Sequence, residues 1–171
     1  MQHRRTRINR GLPLYVSDDE RLSIDLILPD LKAPHITQAY QTISNKVDMM
    51  TGFPARTLFT QLMTREQHAS SGIGEGVAIP HLRLPKLQKP FIIMARLARP
   101  VDFNAVDDYP VDLIMMLLSP GSDGPHHLRR LSRISRLMRN PALLEDLRSA
   151  ADADGLRSLL DQSSQRLLAA A

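Results

Sequence analysis

The sequence predicts an α/β fold in which a mixed β-sheet is sandwiched between helices. Short, continuous apolar runs, typical of strands covered on both faces, occur at 77–80, 91–97 and 111–118. Stretches with apolar residues at helical spacing lie before and after these runs. Because helices and strands do not alternate in a strict order, the pattern favours a mixed sheet over a regular parallel one.

The N-terminal part predicts one short strand and two helices. Residues 31–33 are a possible first strand. Apolar residues at helical spacing follow, namely Ile36, Tyr40, Ile43 and Val47. Gly52 is expected to end this helix, because glycine readily adopts the left-handed conformation at a helix C-terminus. Pro54 suits the start of a second helix, which is expected to end near Glu66.

A glycine-rich segment precedes the first buried strand. Residues 70–76 read Ser-Ser-Gly-Ile-Gly-Glu-Gly, which predicts a loop whose backbone amides can approach a ligand. The strand at 77–80 leads directly to His81, and Pro80 restricts the backbone just before it. Further along the chain, residues 100–103 are expected to form an edge strand.

Three helices are expected to close the chain. The first runs from about His126 to Met138 and carries an apolar stripe. Asn140 and Pro141 separate it from the second helix. Gly155 precedes the third, whose apolar face is rich in leucine.

Length and composition predict one domain with an extension. The chain has 171 residues, enough to bury a core without disulfides or a metal. Residues 1–19 are basic and lack apolar periodicity, so we expect a flexible extension there and a single domain over 20–171. The absence of cysteine excludes disulfides, thiolate metal sites and a cysteine nucleophile.

The composition also limits the expected cellular location and the expected classes of partner. No apolar run approaches the roughly 20 residues that span a bilayer, and no hydrophobic segment follows the basic start. We therefore expect a cytoplasmic protein that does not insert into a membrane. The formal net charge is +4, but few basic residues lie on helices 36–66, and no nucleic-acid partner is expected.

Three side chains are candidates for chemistry. His81 follows a glycine-rich segment and a buried strand, and a neutral imidazole can attack phosphorus. His127 lies at the start of a helix, although the sequence alone does not rank it above His126. Arg65 could pair with a phosphoryl group, or it could be a cation that favours a helix C-terminus.

Other kinds of site are disfavoured. The adjacent residues His126 and His127 point in different directions on a helix, so no metal site is expected. The glycine-rich segment lacks the Gly-Lys-Ser/Thr ending of a P-loop, and its spacing misses the dinucleotide fingerprint. We expect neither a metal nor a cofactor.

Together these motifs resemble a known family. The string Thr64-Arg65-Glu66, followed by residues 71–81 (Ser-Gly-Ile-Gly-Glu-Gly-Val-Ala-Ile-Pro-His), resembles the active-site signature of fructose/mannitol-type enzyme IIA domains of the bacterial phosphotransferase system. The resemblance continues in 100–107, 110–113 and 127–132 and covers roughly residues 20 to 165. Within the family, the sequence is most similar to the nitrogen-regulatory branch, enzyme IIA-Ntr.

The resemblance implies roles for particular residues. His81 would accept a phosphoryl group from the carrier HPr or its nitrogen-branch paralogue. The second family histidine corresponds to His127, and the family arginine corresponds to Arg65. The phosphate-binding loop would comprise Ser71, Gly72, Ile73 and Gly74. Leu82 departs from the small residue that commonly follows the active histidine.

Three functions remain open from the sequence. The first is a phosphorylation-dependent regulator of nitrogen or potassium type, which acts on target proteins. The second is the IIA component of a split fructose or mannitol uptake system, which passes phosphate to a IIB protein. The third is a binding module that has lost phosphotransfer, a function that the intact His81 disfavours.

Overall fold

A mixed six-stranded sheet forms the centre of the computed structural model, which describes residues 21–170. Its central strand is β6 (Val111–Pro120), which pairs antiparallel with β5 (Phe91–Val101). On its other side β6 pairs in parallel with β3 (Val77–Ala78) and then with β4 (His81–Leu84). The predicted basic extension and the terminal residue 171 lie outside the described residues.

Two further strands occupy the edges of the sheet. β1 (Leu26–Leu31) runs parallel to β5. At the opposite edge, β2 (Gly72–Gly74) forms an antiparallel hairpin with β3. The sheet therefore contains both parallel and antiparallel pairs, as the sequence predicts.

Within residues 21–170, five α-helices cover the two faces of the sheet. One face carries α1 (Ile36–Thr51) and α2 (Ala55–His68). The other carries α3 (Pro125–Leu137), α4 (Pro141–Ser149) and α5 (Ala153–Ala169). This arrangement confirms the predicted α/β sandwich.

Residue alternation along the central strands builds a separate core on each face. On β6, Ile114 and Met116 pack toward α1 and α2, whereas Leu113 and Met115 pack toward α3–α5. All four side chains are fully buried. An apolar residue is needed on both faces of such a strand, which explains the continuous run in the sequence.

Most predicted helix boundaries agree with the structure. Gly52 ends α1 with φ of +73°, and its amide donates to Asp48. The Asn140 side chain accepts from two amides at the start of α4, where Pro141 occupies the first turn. The second helix continues beyond the predicted end at Glu66 to His68.

Several strand predictions were wrong. The first strand is Leu26–Leu31 rather than 31–33, and Pro29 inside it interrupts the strand pattern. The predicted strand at 91–97 continues to Val101 as β5, with a register shift between Arg96 and Val101, so no separate edge strand forms at 100–103. The glycine-rich segment is largely a hairpin rather than an open loop.

Candidate active site

His81 opens β4 at an interruption of the sheet. The strands β3 and β4 pair with successive parts of β6, and Ile79 and Pro80 separate them. Proline has no amide hydrogen for the ladder, and its carbonyl accepts from Leu117 instead. This break brings the partly exposed His81 to the edge of a pocket.

A backbone carbonyl fixes the tautomer of His81. Its Nδ1 lies 2.9 Å from the carbonyl oxygen of Ile79. A carbonyl oxygen can only accept, so Nδ1 carries the hydrogen in this contact. The lone pair of the neutral ring then resides on Nε2, which is the nucleophilic nitrogen.

His127 is held next to His81 by a different partner. The two ring centroids are 5.9 Å apart, and the ring planes are inclined by 44°. His127 is only 4% exposed, and its Nδ1 lies 2.9 Å from the hydroxyl oxygen of Ser119. Burial lowers the pKa of His127 below its usual value, and the nearby positive charge of Arg83 acts in the same direction.

The Ser119 contact orients the hydrogen of His127. Ser119 is fully buried, and a buried hydroxyl hydrogen requires an acceptor. We assign Ser119 as donor to Nδ1, which leaves the ring hydrogen of neutral His127 on Nε2. The two histidines thus have complementary tautomers, one with a basic Nε2 and one with a donating Nε2.

A pocket of about 200 Å³ joins His81 to the predicted arginine. Arg65 lies on the pocket wall, and its Nη1 donates to the carbonyl of Ala69, 3.3 Å away. The position of Arg65 fits both predictions, since it lies in the last turn of α2 and also lines the pocket; its pairing with a phosphoryl group stays a prediction. From α3 the pocket receives Leu131 and Ser135.

The glycine-rich hairpin contributes Ser71 and Ile73 to this pocket. Gly72 is buried, and a Cβ atom there would lie 2.8 Å from the Cβ of Ala105. Gly74 has a φ of +100°. The glycines thus permit close packing and a turn. The amides of Ser71 and Gly72 donate to Glu66 and Ser70, so phosphate binding by this segment stays a prediction.

The side chains that anchor the site were missed by the sequence analysis. Glu66 accepts hydrogen bonds from the Tyr40 hydroxyl at 2.6 Å and from the Ser71 amide at 2.8 Å. Burial, followed by the charge of Glu66, raises the pKa of Tyr40 well above its usual value. A tyrosine on the apolar face of a predicted helix was an available signal, because its buried hydroxyl needs a partner.

The arrangement separates the two adjacent histidines and contains no evident metal cluster. His127 is buried beside His81, whereas His126 is half-buried. Among residues 21–170 no group of three or more histidine, aspartate or glutamate side chains could hold a metal ion.

No helix in the described part of the chain is long and apolar enough to cross a membrane.

Comparison with known proteins gives these features a family context. A nitrogen regulatory protein of Bradyrhizobium diazoefficiens is 43% identical over 136 residues, which are 80% of this chain and 89% of the relative. A fructose-specific EIIA component of Haloferax volcanii is 36% identical over 99 residues, or 58% of this chain and 64% of that protein.

The fold and the family model agree with these relatives. The crystal structure of the nitrogen regulatory protein IIA-Ntr from Neisseria meningitidis matches with a TM-score of 0.74 and 28% identity, covering 79% of this chain and 92% of that one. The model of the family "Phosphoenolpyruvate-dependent sugar phosphotransferase system, EIIA 2" matches residues 20–163. The chain belongs to this EIIA 2 family.

Proposed function

We propose that this protein is a phosphoryl carrier in which Nε2 of His81 accepts a phosphoryl group, and that its phosphorylation state regulates target proteins. The observation that carries this proposal is the contact between Nδ1 of His81 and the Ile79 carbonyl. It leaves the nucleophilic lone pair on Nε2 of a partly exposed ring at a pocket edge. The similarity to nitrogen regulatory proteins supports the regulatory role.

The proposed transfer is a simple exchange between two imidazoles. The Nε2 lone pair of His81 attacks phosphorus in the phosphohistidine of HPr or its nitrogen-branch paralogue. A new P–N bond forms while the donor P–N bond breaks, and its electron pair returns to the donor ring. The hydrogen stays on Nδ1 of His81 and is donated to the Ile79 carbonyl, whose oxygen stabilises positive charge as the ring is phosphorylated.

Neighbouring groups can stabilise the negative charge of the transferred phosphoryl group. The guanidinium of Arg65, on the pocket wall, can pair with phosphoryl oxygens. The Nε2 hydrogen of His127 is a second donor near the ring of His81. Phosphorylation adds about −1.5 to −2 charges and several acceptor oxygens, a change that can switch the affinity of a protein interface.

A phosphotransfer assay tests the proposal. The protein is incubated with phosphoenolpyruvate, enzyme I and HPr or its paralogue, and acid-labile label is measured on the wild type and on His81→Ala. We expect label on the wild type and none on the variant. Undiminished label on His81→Ala would contradict the assignment. Nitrogen-15 NMR of the phosphoprotein should place the phosphorus on Nε2.

The similarity to a fructose-specific EIIA component favours a second candidate function in sugar uptake. In that case phosphate would move from His81 to a cysteine or histidine of a separate IIB protein. Adding fructose- and mannitol-type IIB proteins to the labelled protein separates the two functions. Rapid transfer to a IIB protein supports transport, whereas retention of label together with phosphorylation-dependent binding of a target supports regulation.

A further inference from the structure

A hydrogen-bonded bridge at the end of α2 anchors the start of the glycine-rich hairpin. The carboxylate of Glu66 accepts from the Tyr40 hydroxyl through Oε2 and from the Ser71 amide through Oε1. Tyr40 is fully buried on α1. One carboxylate therefore ties two helices to the backbone of Ser71, and hydrogen bonds to a charged acceptor are stronger than neutral ones.

The same line of contacts continues to the ring of His81. The carbonyl of Ser71 accepts from the amide of Ile79 at 2.9 Å. The carbonyl of Ile79 then accepts from Nδ1 of His81, also at 2.9 Å. Glu66 is thus linked to His81 by three successive hydrogen bonds, through Ser71 and Ile79.

We propose that Glu66 is a positioning residue that keeps His81 in the Nδ1–H tautomer by fixing Ser71 and Ile79. The proposal rests on the proposed function, because only that tautomer offers Nε2 for phosphorylation. Pro80 makes the support necessary, since it has no amide hydrogen and interrupts the ladder beside Ile79. Without the carboxylate, the Ser71 amide loses its acceptor and the Ile79 carbonyl loses its fixed orientation.

Glu66 itself takes no part in the transfer. Both of its oxygens accept hydrogen bonds from groups of the protein, and an ionised carboxylate has no hydrogen to donate to a phosphoryl group. A negative charge would also repel the incoming anion. The positive charge required at the pocket comes instead from its neighbour Arg65.

The tautomer of His81 can be measured directly in the unphosphorylated protein. Two-bond hydrogen–nitrogen correlations distinguish Nδ1–H from Nε2–H rings at pH 8, at which an ordinary imidazole is neutral. We expect Glu66→Ala to shift the tautomer ratio of His81 toward Nε2–H by about fivefold, because that ratio corresponds to the net free energy of one ordinary hydrogen bond. Single-turnover transfer from phosphorylated HPr should slow to the extent that the Nδ1–H population falls.

Two matched variants separate this role from general stability. In Glu66→Gln the amide oxygen still accepts from Ser71 and the amide NH₂ can donate to Tyr40, so we expect a nearly wild-type tautomer ratio. Gln67→Ala changes the exposed neighbour on the same helix and should leave the ratio unchanged. If the alanine variant does not fold, Glu66→Met has a similar length but no oxygen acceptor, and it should show the same shift as expected for alanine.

The outcomes distinguish this inference from the proposed function. A wild-type tautomer ratio in a folded Glu66→Ala or Glu66→Met variant would overturn the positioning role, even if His81→Ala abolishes phosphorylation. Equal shifts in Glu66→Gln and Glu66→Ala would also overturn it, because the glutamine retains the Ser71 acceptor. Conversely, undiminished label on His81→Ala would defeat the proposed function while leaving the tautomer measurement intact.

Discussion

Replacement of His127 tests whether the second histidine stabilises the phosphoryl group during the proposed transfer. The ring of His127 is buried, and its centroid lies 5.9 Å from that of the His81 ring. Under our assignment it carries its hydrogen on Nε2. Loss of one preorganised donor to a transition-state oxygen costs about 10²-fold in rate, or about 2.7 kcal/mol. We therefore expect His127→Ala to slow phosphoryl transfer by about that factor.

The contact with Ser119 predicts a smaller, graded effect. Ser119→Ala keeps the imidazole but removes the hydroxyl that donates to its Nδ1. A neutral hydrogen bond contributes about 1 kcal/mol, so the rate should fall by about fivefold. His127→Gln places an amide NH₂ near the former position of Nε2 and should recover part of the rate lost in His127→Ala.

Single-turnover transfer from phosphorylated HPr provides the assay, with circular dichroism as the folding control. His126→Ala is the matched control, because His126 is the adjacent residue and is less buried. It should change the rate much less than His127→Ala. Equal, mild effects of the two alanine variants would refute the reasoning and reduce His127 to a residue that merely packs at the helix start.

Three further predictions concern stability and binding. Gly72→Ala should lower the free energy of unfolding by about 1–3 kcal/mol in urea titrations, because its Cβ would lie 2.8 Å from that of Ala105; an unchanged midpoint would contradict this packing. Between the lowered pKa of His127 and its usual 6.5 the unfolded state binds more protons, so stability should fall as pH drops below 6.5, and less steeply in His127→Gln. Arg129, Arg130 and Arg133 lie on α3, whose opposite stripe packs into the core, so we expect no salt-sensitive binding of duplex DNA by them; such binding at physiological ionic strength, if lost when the three are neutralised, would contradict this.

The sequence was sufficient for the layers of the fold because burial imposes strong patterns. A strand covered on both faces needs a continuous apolar run, as in β6, and each helix needs a stripe. Weak or interrupted patterns were not sufficient. Pro29 interrupts the apolar pattern of β1, and the strand predicted at 77–80 ends at Ala78 in the structure. Glycines do not reveal a hairpin when their packing partner, such as Ala105, lies far along the chain.

In the candidate site too, some residues could be selected from the sequence, whereas the contacts that place them could not. His81, His127 and Arg65 could be selected from the sequence because their chemistry is uncommon in their local setting, and the fold brings them to one region. The remaining placement could not be read from the sequence, since Ser119 lies on β6 while its partner lies on α3.

The anchoring contacts show why His81 was easier to select from the sequence than the groups that support it. His81 depends on backbone carbonyls, which every residue possesses and which therefore leave no mark in the sequence. The support becomes visible at Glu66, where a charged side chain reaches the backbone of Ser71. Because each contact orients only its neighbour, a change at Glu66 should alter which nitrogen of His81 carries the hydrogen before it alters the fold. The His81 tautomer is therefore the most direct measure of whether Glu66 positions the proposed nucleophile.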